Sequence, residues 1–462
     1  MKALIHGRVG FSPVLAVIAA FGTVRDRHHM PGSDLSSFDA LLKDDYAPAI
    51  VNELQDENVA NALKFMESEA PDETWQGRKK VQPIRIGRNY STGSIGAGSA
   101  LPQAGRTAHR DFEIPMRDTY GRVGFERYTM EQSKNKKGAF AQVMELEMDA
   151  LTESIAFARN RMAWGYGAGI IALVNGAVAA GATTVTVDAP GNVAGSVMGN
   201  RFLFGDTTSG QFIAFLNPAT NAIEHTAFVS GVSAGGTQIT IDTAAPAGGI
   251  TDNAKIVIAQ TPTQHSLNKE PEGILAGVDD GTYVGTYHNL SRTTYPILNS
   301  HVVTGVGALS LDAIQQAIDA LSIRVGGSVD FFACEHAVRR AYLTLLELDR
   351  RYTGADLMRP DGGTAAAKKP TGKTITYGDI PFVVDRDAPY RMLFGIRKAS
   401  WIRYVLQEGQ FADEEGSVLK WVSGFDQYTA FFFIMDNFHC QSPNRNFRME
   451  GIDVNQLVAH AA

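Results

Sequence analysis

The sequence predicts an α+β fold with a small β domain inserted into it, and three observations carry that prediction. One long apolar stripe at helical spacing runs from Ala139 to Trp164. A stretch over 175–260, rich in Gly, Ala, Thr and Val and poor in charge, reads as short strands. From Ile274 to the end, helical and strand-like segments alternate. The 462 residues are 44% hydrophobic and 20% charged, which excludes wholesale disorder and leaves no difficulty in burying a core. Two cysteines, Cys334 and Cys440, cannot make a disulfide framework, so a reducing compartment is expected. A net charge of -7 argues against a surface built as a whole to grip nucleic acid, while leaving room for a local basic patch.

Residues 1–29 read as an extension outside the fold. Lys2 and Arg8 precede an apolar stretch, Val9 to Phe21, that imitates a secretory signal peptide. The stretch is too short to span a bilayer, Pro13 interrupts it and no small-x-small cleavage site follows. Three readings stand: a signal peptide, a start at Met30 with an upstream extension, or an ordered arm. Residues 36–70 have helical periodicity, with a break expected at Pro48. Trp75, Val81, Ile84 and Ile86 then alternate with polar residues, and a Gly/Ser run from Thr92 to Gly105 reads as a loop.

Two β-like stretches follow, Ala108 to Arg117 and Arg122 to Met130, with Asp118 to Gly121 predicted as the turn of a hairpin. So few apolar residues cannot stabilise a lone hairpin, so it must lie against its own domain or a neighbouring chain. A basic turn, Lys134, Lys136 and Lys137, comes after it. The helix from Ala139 to Trp164 places Phe140, Met144, Met148, Leu151, Ile155 and Met162 on one stripe. Its other face is predicted to carry Glu145, Glu147, Asp149, Glu153, Arg159 and Arg161, acidic early and basic late as the helix dipole favours. At about 1.5 Å per residue it spans roughly 39 Å, and Gly165 and Gly167 end it.

Within 175–260, Gly181 to Asp188 (GATTVTVD) is echoed by Gly235 to Asp242 (GGTQITID). Two copies are too few for a solenoid, so a compact barrel or sandwich is expected. Beyond it, helices are predicted at Leu309 to Ile323 and Glu335 to Leu348, with a buried strand from Val329 to Cys334 between them. A polar loop from Asp349 to Lys373 carries Arg350, Arg351, Lys368 and Lys369. Strands follow at 375–377, 381–384, 392–396, 401–406 and 418–422, and the apolar run Tyr428 to Met435 reads as a central strand.

Catalytic signals are poor, and neither a cofactor nor a metal is expected. Gly372-Lys373-Thr374 resembles the end of a phosphate-binding loop, but Ala367 stands where that motif needs glycine, and a strand follows instead of a helix. Gly93, Gly96 and Gly98 are in the wrong order for a dinucleotide fingerprint. His28 and His29 have no partners at ligand spacing. Asp385 and Asp387 read as an exposed turn, and Cys334 as core packing.

The order of elements resembles the major capsid (coat) protein of tailed bacteriophages, the Hong Kong 97-type fold. An arm and Gly-rich loop lead to a protruding hairpin carrying Ile114-Pro115-Met116-Arg117 and Arg122 to Arg127 (RVGFER), then to a long helix ending at Trp164-Gly165, a β insertion and a mixed remainder. The resemblance implies an N-arm at 30–105, an extended E-loop at 106–138, a P domain spine helix at 139–174, an inserted β domain at 175–260, and P domain strands with an A domain over 261–462. It implies a structural, non-enzymatic protein of the virion, assembled in the host cytoplasm as pentamers and hexamers of an icosahedral shell around double-stranded DNA. Inter-subunit contacts would fall on Arg117, Arg122, Arg127, Lys134, Lys136 and Lys137. The spine helix would present Glu145, Glu153 and Arg159, and the capsomer-axis loop Arg350, Arg351, Lys368 and Lys369. Scaffold, portal and decoration proteins are the further partners, DNA contact is weak and nonspecific, and no membrane is involved. Some members crosslink a Lys of the E-loop to an Asn; Lys134, Lys136 or Lys137 could serve, but nothing in the sequence identifies the Asn. Starting from Met30, too little sequence precedes the hairpin for both a fused scaffolding domain and an arm. Two rivals remain: an encapsulin-type nanocompartment shell of the same fold, and a secreted β-rich surface-binding protein.

Overall fold

The computed structural model describes residues 72–74, 77, 79–128, 137–188, 210–350, 375–413 and 417–454. The expected extension 1–29, the helix at 36–70, Lys134, Lys136, Arg351, Lys368 and Lys369 lie outside the described residues. The chain enters on β1 (Asp72–Thr74), β2 (Lys80–Gly87), β3 (Ala108–Ile114) and β4 (Arg117–Glu126), then helix α1 (Lys137–Trp164). Next come β5 (Ile170–Val174), β6 (Thr184–Asp188), β7 (Phe212–Leu216), β8 (Ile223–Val232), β9 (Gln238–Ile241), β10 (Lys255–Thr261) and β11 (Gln264–His265). A one-turn helix α2 (Ile274–Gly277) and a small hairpin, β12 (Thr286–Tyr287) and β13 (Leu290–Ser291), lead to β14 (His301–Val303). Then follow α3 (Leu311–Val325), β15 (Phe331–Cys334), α4 (His336–Arg350), β16 (Thr376–Tyr377), β17 (Ile380–Val384) and β18 (Met392–Ile396). The last strands are β19 (Trp401–Phe411), β20 (Lys420–Trp421), β21 (Gln427–Cys440) and β22 (Phe447–Glu450).

The apolar run at 428–435 lies inside β21, the middle of a mixed sheet. β19 flanks it on one side from Trp401↔Cys440 to Phe411↔Phe432, and β4 on the other from Gln427↔Glu126 to Asp436↔Arg117. Both pairings are antiparallel, and β1 extends the sheet parallel to β19. Helix α1 lies against β4. A Cβ on Gly121 would come within 2.5 Å of Ile155 Cδ1 and 3.0 Å of Leu151 Cδ1, so glycine permits the close approach of helix to strand.

That contact overturns the predicted hairpin. Residues 117–126 are one continuous strand, not half a turn, and β4 never pairs with β3. Gly121 reads as a turn residue in the sequence, but it sits mid-strand because a helix crosses there. The partner of β3 is β2, in antiparallel register from Lys80↔Ile114 to Gly87↔Ala108. The hairpin therefore straddles the expected boundary at 105/106, and its connection is the Gly-rich stretch 88–107.

The second sheet runs β14-β22-β18-β15-β17-β16. β15 and β17 are parallel, which requires a long crossover, and α4 begins it. Helix α3 buries Ile314, Ala317 and Leu321 beside this sheet's Phe332, Phe382 and Phe447. Its Ser310 hydroxyl accepts a hydrogen bond from the Ala313 amide, and Gly326 closes its other end at φ 68°.

The insertion is a barrel. β10 pairs with β5 and also with β7, closing the ring β10-β5-β6-β9-β8-β7. It starts at Ile170 and ends past 260, slightly wider than expected, because β5 and β10 are adjacent staves at its mouth. The two echoed segments are β6 and β9, and they pair with one another: Val185↔Ile239 and Thr186↔Gln238. Their alternate residues Val185, Val187, Ile239 and Ile241 enter a core of the barrel's own.

Candidate assembly surface and its root

The β2–β3 hairpin forms a two-stranded sheet of its own. Nearly all residues from 88 to 111 are exposed, including Tyr90 at 83% and Leu101 at 80%. Asn89 closes the neck of the tip: its amide donates to the Gly105 carbonyl at 3.1 Å, while its oxygen accepts from the Ser91 amide and hydroxyl. Lys79, Lys80, Arg85, Arg88, Arg106 and Arg110 outnumber Asp111 and Glu113 here, in a chain whose net charge is negative. Lys79 and Glu113 pair at 2.6 Å. Beneath the hairpin lies a cleft of about 280 Å³ lined by Ile84, Arg85, Ile297 and Pro443 among others.

The root of the hairpin is the opposite in character. Phe112 and Ile114 are fully buried. The Glu113 amide donates to the His288 carbonyl at 3.1 Å. The Asn437 side chain donates to the Pro115 carbonyl at 2.8 Å and accepts from the Glu272 amide at 3.0 Å. Arg117 donates to the Asn268 carbonyl at 2.8 Å and lies 3.6 Å from Glu272. Burial pushes the Glu272 carboxyl up, but the His288 imidazole at 2.9 Å, then Arg117 and Asn437, outweigh it and hold the group below the ordinary carboxylate range.

The end of α1 is a second anchor. Three consecutive side chains bond in three directions. Arg159 makes a two-pronged pair with Asp436 of β21, at 3.1 and 2.6 Å. The Asn160 amide donates to Asp385 at 3.0 Å and to Asp387 at 2.6 Å, beyond the end of β17. Arg161 grips Glu270, at the exit of the barrel, at 3.0 and 2.5 Å. Arg403 also binds Asp436, at 2.9 Å. All these ionised groups are nearly inaccessible, so each charge requires its partner.

Several expected surface residues therefore lie inside. Arg159 is not on a solvated face: β21 covers that side of the helix and supplies Asp436. Glu153 is half-buried. Asp385 and Asp387 are buried acceptors, not an exposed turn, because the end of α1 packs on them. Arg117 is spent on the root, within its own chain. Arg122 is exposed and sits over the Phe431 ring at 5.7 Å. Arg127 is exposed and lies 3.9 Å from Asp426. Arg350 is the last residue of α4. Lys137 and Glu145 lie on α1 with side chains outside the described part. Sequence reasoning missed His288, His439, Glu272 and Asn437, which come from three distant segments with no diagnostic spacing. Among the described residues, no group of three or more His, Cys, Asp or Glu could hold a metal ion, and no helix is long and apolar enough to cross a membrane.

No protein-family model and no curated protein matches the chain. Solved structures do. A chain of the cyanophage A-1(L) capsid asymmetric unit superposes with a TM-score of 0.52 at 10% identity, over 89% of this chain and 98% of that one. The capsid of a native GTA particle aligns at 0.46 and 8% identity, over 92% and 100%. The SrpI encapsulin complex of Synechococcus elongatus PCC 7942 aligns at 0.41 and 8%, over 93% and 99%. At such identities a likeness concerns the fold, and the cyanophage match is the one that bears weight: the chain has a phage capsid protein fold.

Proposed function

We propose that this chain is a structural shell protein, the major capsid protein of a tailed phage. Copies assemble into pentamers and hexamers of an icosahedral head that encloses double-stranded DNA, and the protein resides in the virion after assembly in the host cytoplasm. The supporting observation is the cyanophage likeness, which spans nearly all of both chains. An isolated two-stranded hairpin with exposed Tyr90 and Leu101 agrees with it, since such an element gains its missing contacts from another copy. In this reading the β2–β3 hairpin, with its tip at 88–107, is the E-loop and reaches over a neighbouring subunit. Arg122 and Arg127, with Lys134, Lys136 and Lys137, face that neighbour. Helix α1 is the spine, the sheet around β15 belongs to the A domain, and the segment after α4, up to 373, meets its copies at the capsomer axis. DNA contact is weak and nonspecific, as the net charge of -7 favours.

Negative-stain electron microscopy of the purified chain under assembly conditions is the test. Closed shells are expected. Small monodisperse particles under every condition would overturn the proposal. Shells that carry a protein cargo and never DNA would shift it to the nanocompartment reading.

A further inference from the structure

Two buried imidazoles meet at the root of the hairpin. His439 on β21 and His288 at the β12–β13 turn have ring centroids 4.7 Å apart. His439 is wholly buried, and neither of its ring nitrogens has a hydrogen-bond partner among the described residues. Phe112 of β3 packs edge-on against the His439 ring at 4.9 Å, so the first buried side chain of the hairpin rests directly on this imidazole. Several titratable or charged groups surround the pair. Cys440 follows His439 on β21. Tyr287 stacks on His439 at 5.9 Å, with Arg292 over the Tyr287 ring at 5.0 Å. Tyr404 of β19 lies at 6.2 Å, and Lys80 of β2 sits over the Tyr404 ring. Glu272 is 2.9 Å from His288 Nδ1, with Arg117 of β4 behind it.

We infer that the His288–His439 pair is an acid-operated latch: with His439 neutral it holds the hairpin root closed on β21, and when His439 takes up a proton the root opens. Among the described residues, Glu272 is the carboxylate that contacts the pair, and it does so through His288 at 2.9 Å, not through His439. The other groups give no relief. Burial pushes the Tyr287 hydroxyl well above its ordinary value and the Cys440 thiol up to about 12, so neither supplies an anion. A protonated His439 would have two N–H donors and, among the described residues, no acceptor for either. Burial, and then the His288 charge, hold His439 well below the ordinary imidazole value. The open root therefore takes up the proton more readily than the closed one. The closed state keeps its full advantage above the ordinary imidazole value of about 6.5 and loses it as the pH falls below that. Phe112, the Glu113–His288 hydrogen bond and the Asn437–Pro115 hydrogen bond lie within a few residues, so they yield together.

That a released hairpin re-seats on a neighbouring copy rests on the shell reading; the latch does not, and its test needs no assembly. Amide hydrogen exchange of the full chain at pH 7.5 and pH 5.0, corrected for intrinsic rates, reports opening segment by segment. Peptides over 80–87 and 108–117 should lose at least tenfold protection at pH 5.0, while barrel peptides over 212–232 keep theirs. His439→Phe preserves the ring packing without the proton site and should retain hairpin protection at pH 5.0; His439→Leu serves if the phenylalanine variant misfolds. Acid opening undiminished in the variant that folds overturns the latch. So does a wild-type response that is absent or equal in barrel and hairpin, a reading that requires no variant.

Discussion

The barrel and the hairpin are two β extensions that leave the body of the molecule from neighbouring points and solve opposite problems. In the barrel, β10 pairs with β5 on one side and β7 on the other, which closes a six-stranded ring with only the short β11 outside it among the described strands, and alternate residues fill a separate core. In the hairpin, β2 and β3 form a two-stranded sheet of their own, and Tyr90, Ile95 and Leu101 at the tip are apolar yet exposed. One is complete within a single chain. The other leaves apolar side chains in water and is tied to the body through its root. The two meet there: Asn268, Glu270 and Glu272 leave the barrel, and Arg117, Arg161 and Asn437 hold them.

Substitutions can break this contrast. The largest effect is expected inside the barrel. Phe215→Ala empties a fully buried ring site and should cost about 3–5 kcal/mol. Chemical denaturation should show it, with hydrogen-exchange protection lost over the barrel strands and kept in the hairpin root. If the root loses protection equally, the barrel is not self-sufficient. A smaller effect is expected at the root. Asn437→Ala removes the donor to Pro115 and the acceptor for the Glu272 amide, at about 1–3 kcal/mol. Here exchange should rise at 108–117 and stay unchanged at 212–232, the reverse of the first pattern. The smallest effect on folding belongs to the tip. Tyr90→Ala with Leu101→Ala should shift the unfolding free energy by no more than about 0.5 kcal/mol. Shell yield by electron microscopy should nevertheless fall sharply in the same protein. Normal shells from the double variant would mean that the tip is not an inter-subunit surface.

How legible each part was follows from how local its physics is. The helix at 139–164 and its end before Gly165 could be read because a stripe of period 3.6 is a property of one segment. The β character of the insertion was legible for the same reason, its echoed strands alternating every second residue, whereas the choice of barrel over sandwich needed the pairing of β10 with β7. The hairpin was not. β2 and β3 each look like strands, but their pairing joins Lys80 to Ile114 across a Gly-rich connection, and a nearer glycine, Gly121, imitates a turn. The buried charges were also hidden. Arg159, Asp385 and Asp387 carry the composition of a surface, and only their distant partners make burial tolerable.

By itself, the sequence determined the α+β class, the long helix, the presence of an inserted β domain and the central strand at 428–435, since periodicity and composition specify which residues must leave water. The tertiary structure alone decided which strands pair, that Gly121 admits a helix, that Arg159, Asn160 and Arg161 lock three parts together, and that two imidazoles share a dry site beneath the hairpin. Those contacts join residues up to hundreds of positions apart, and their energies exist only once desolvation and partner are present together.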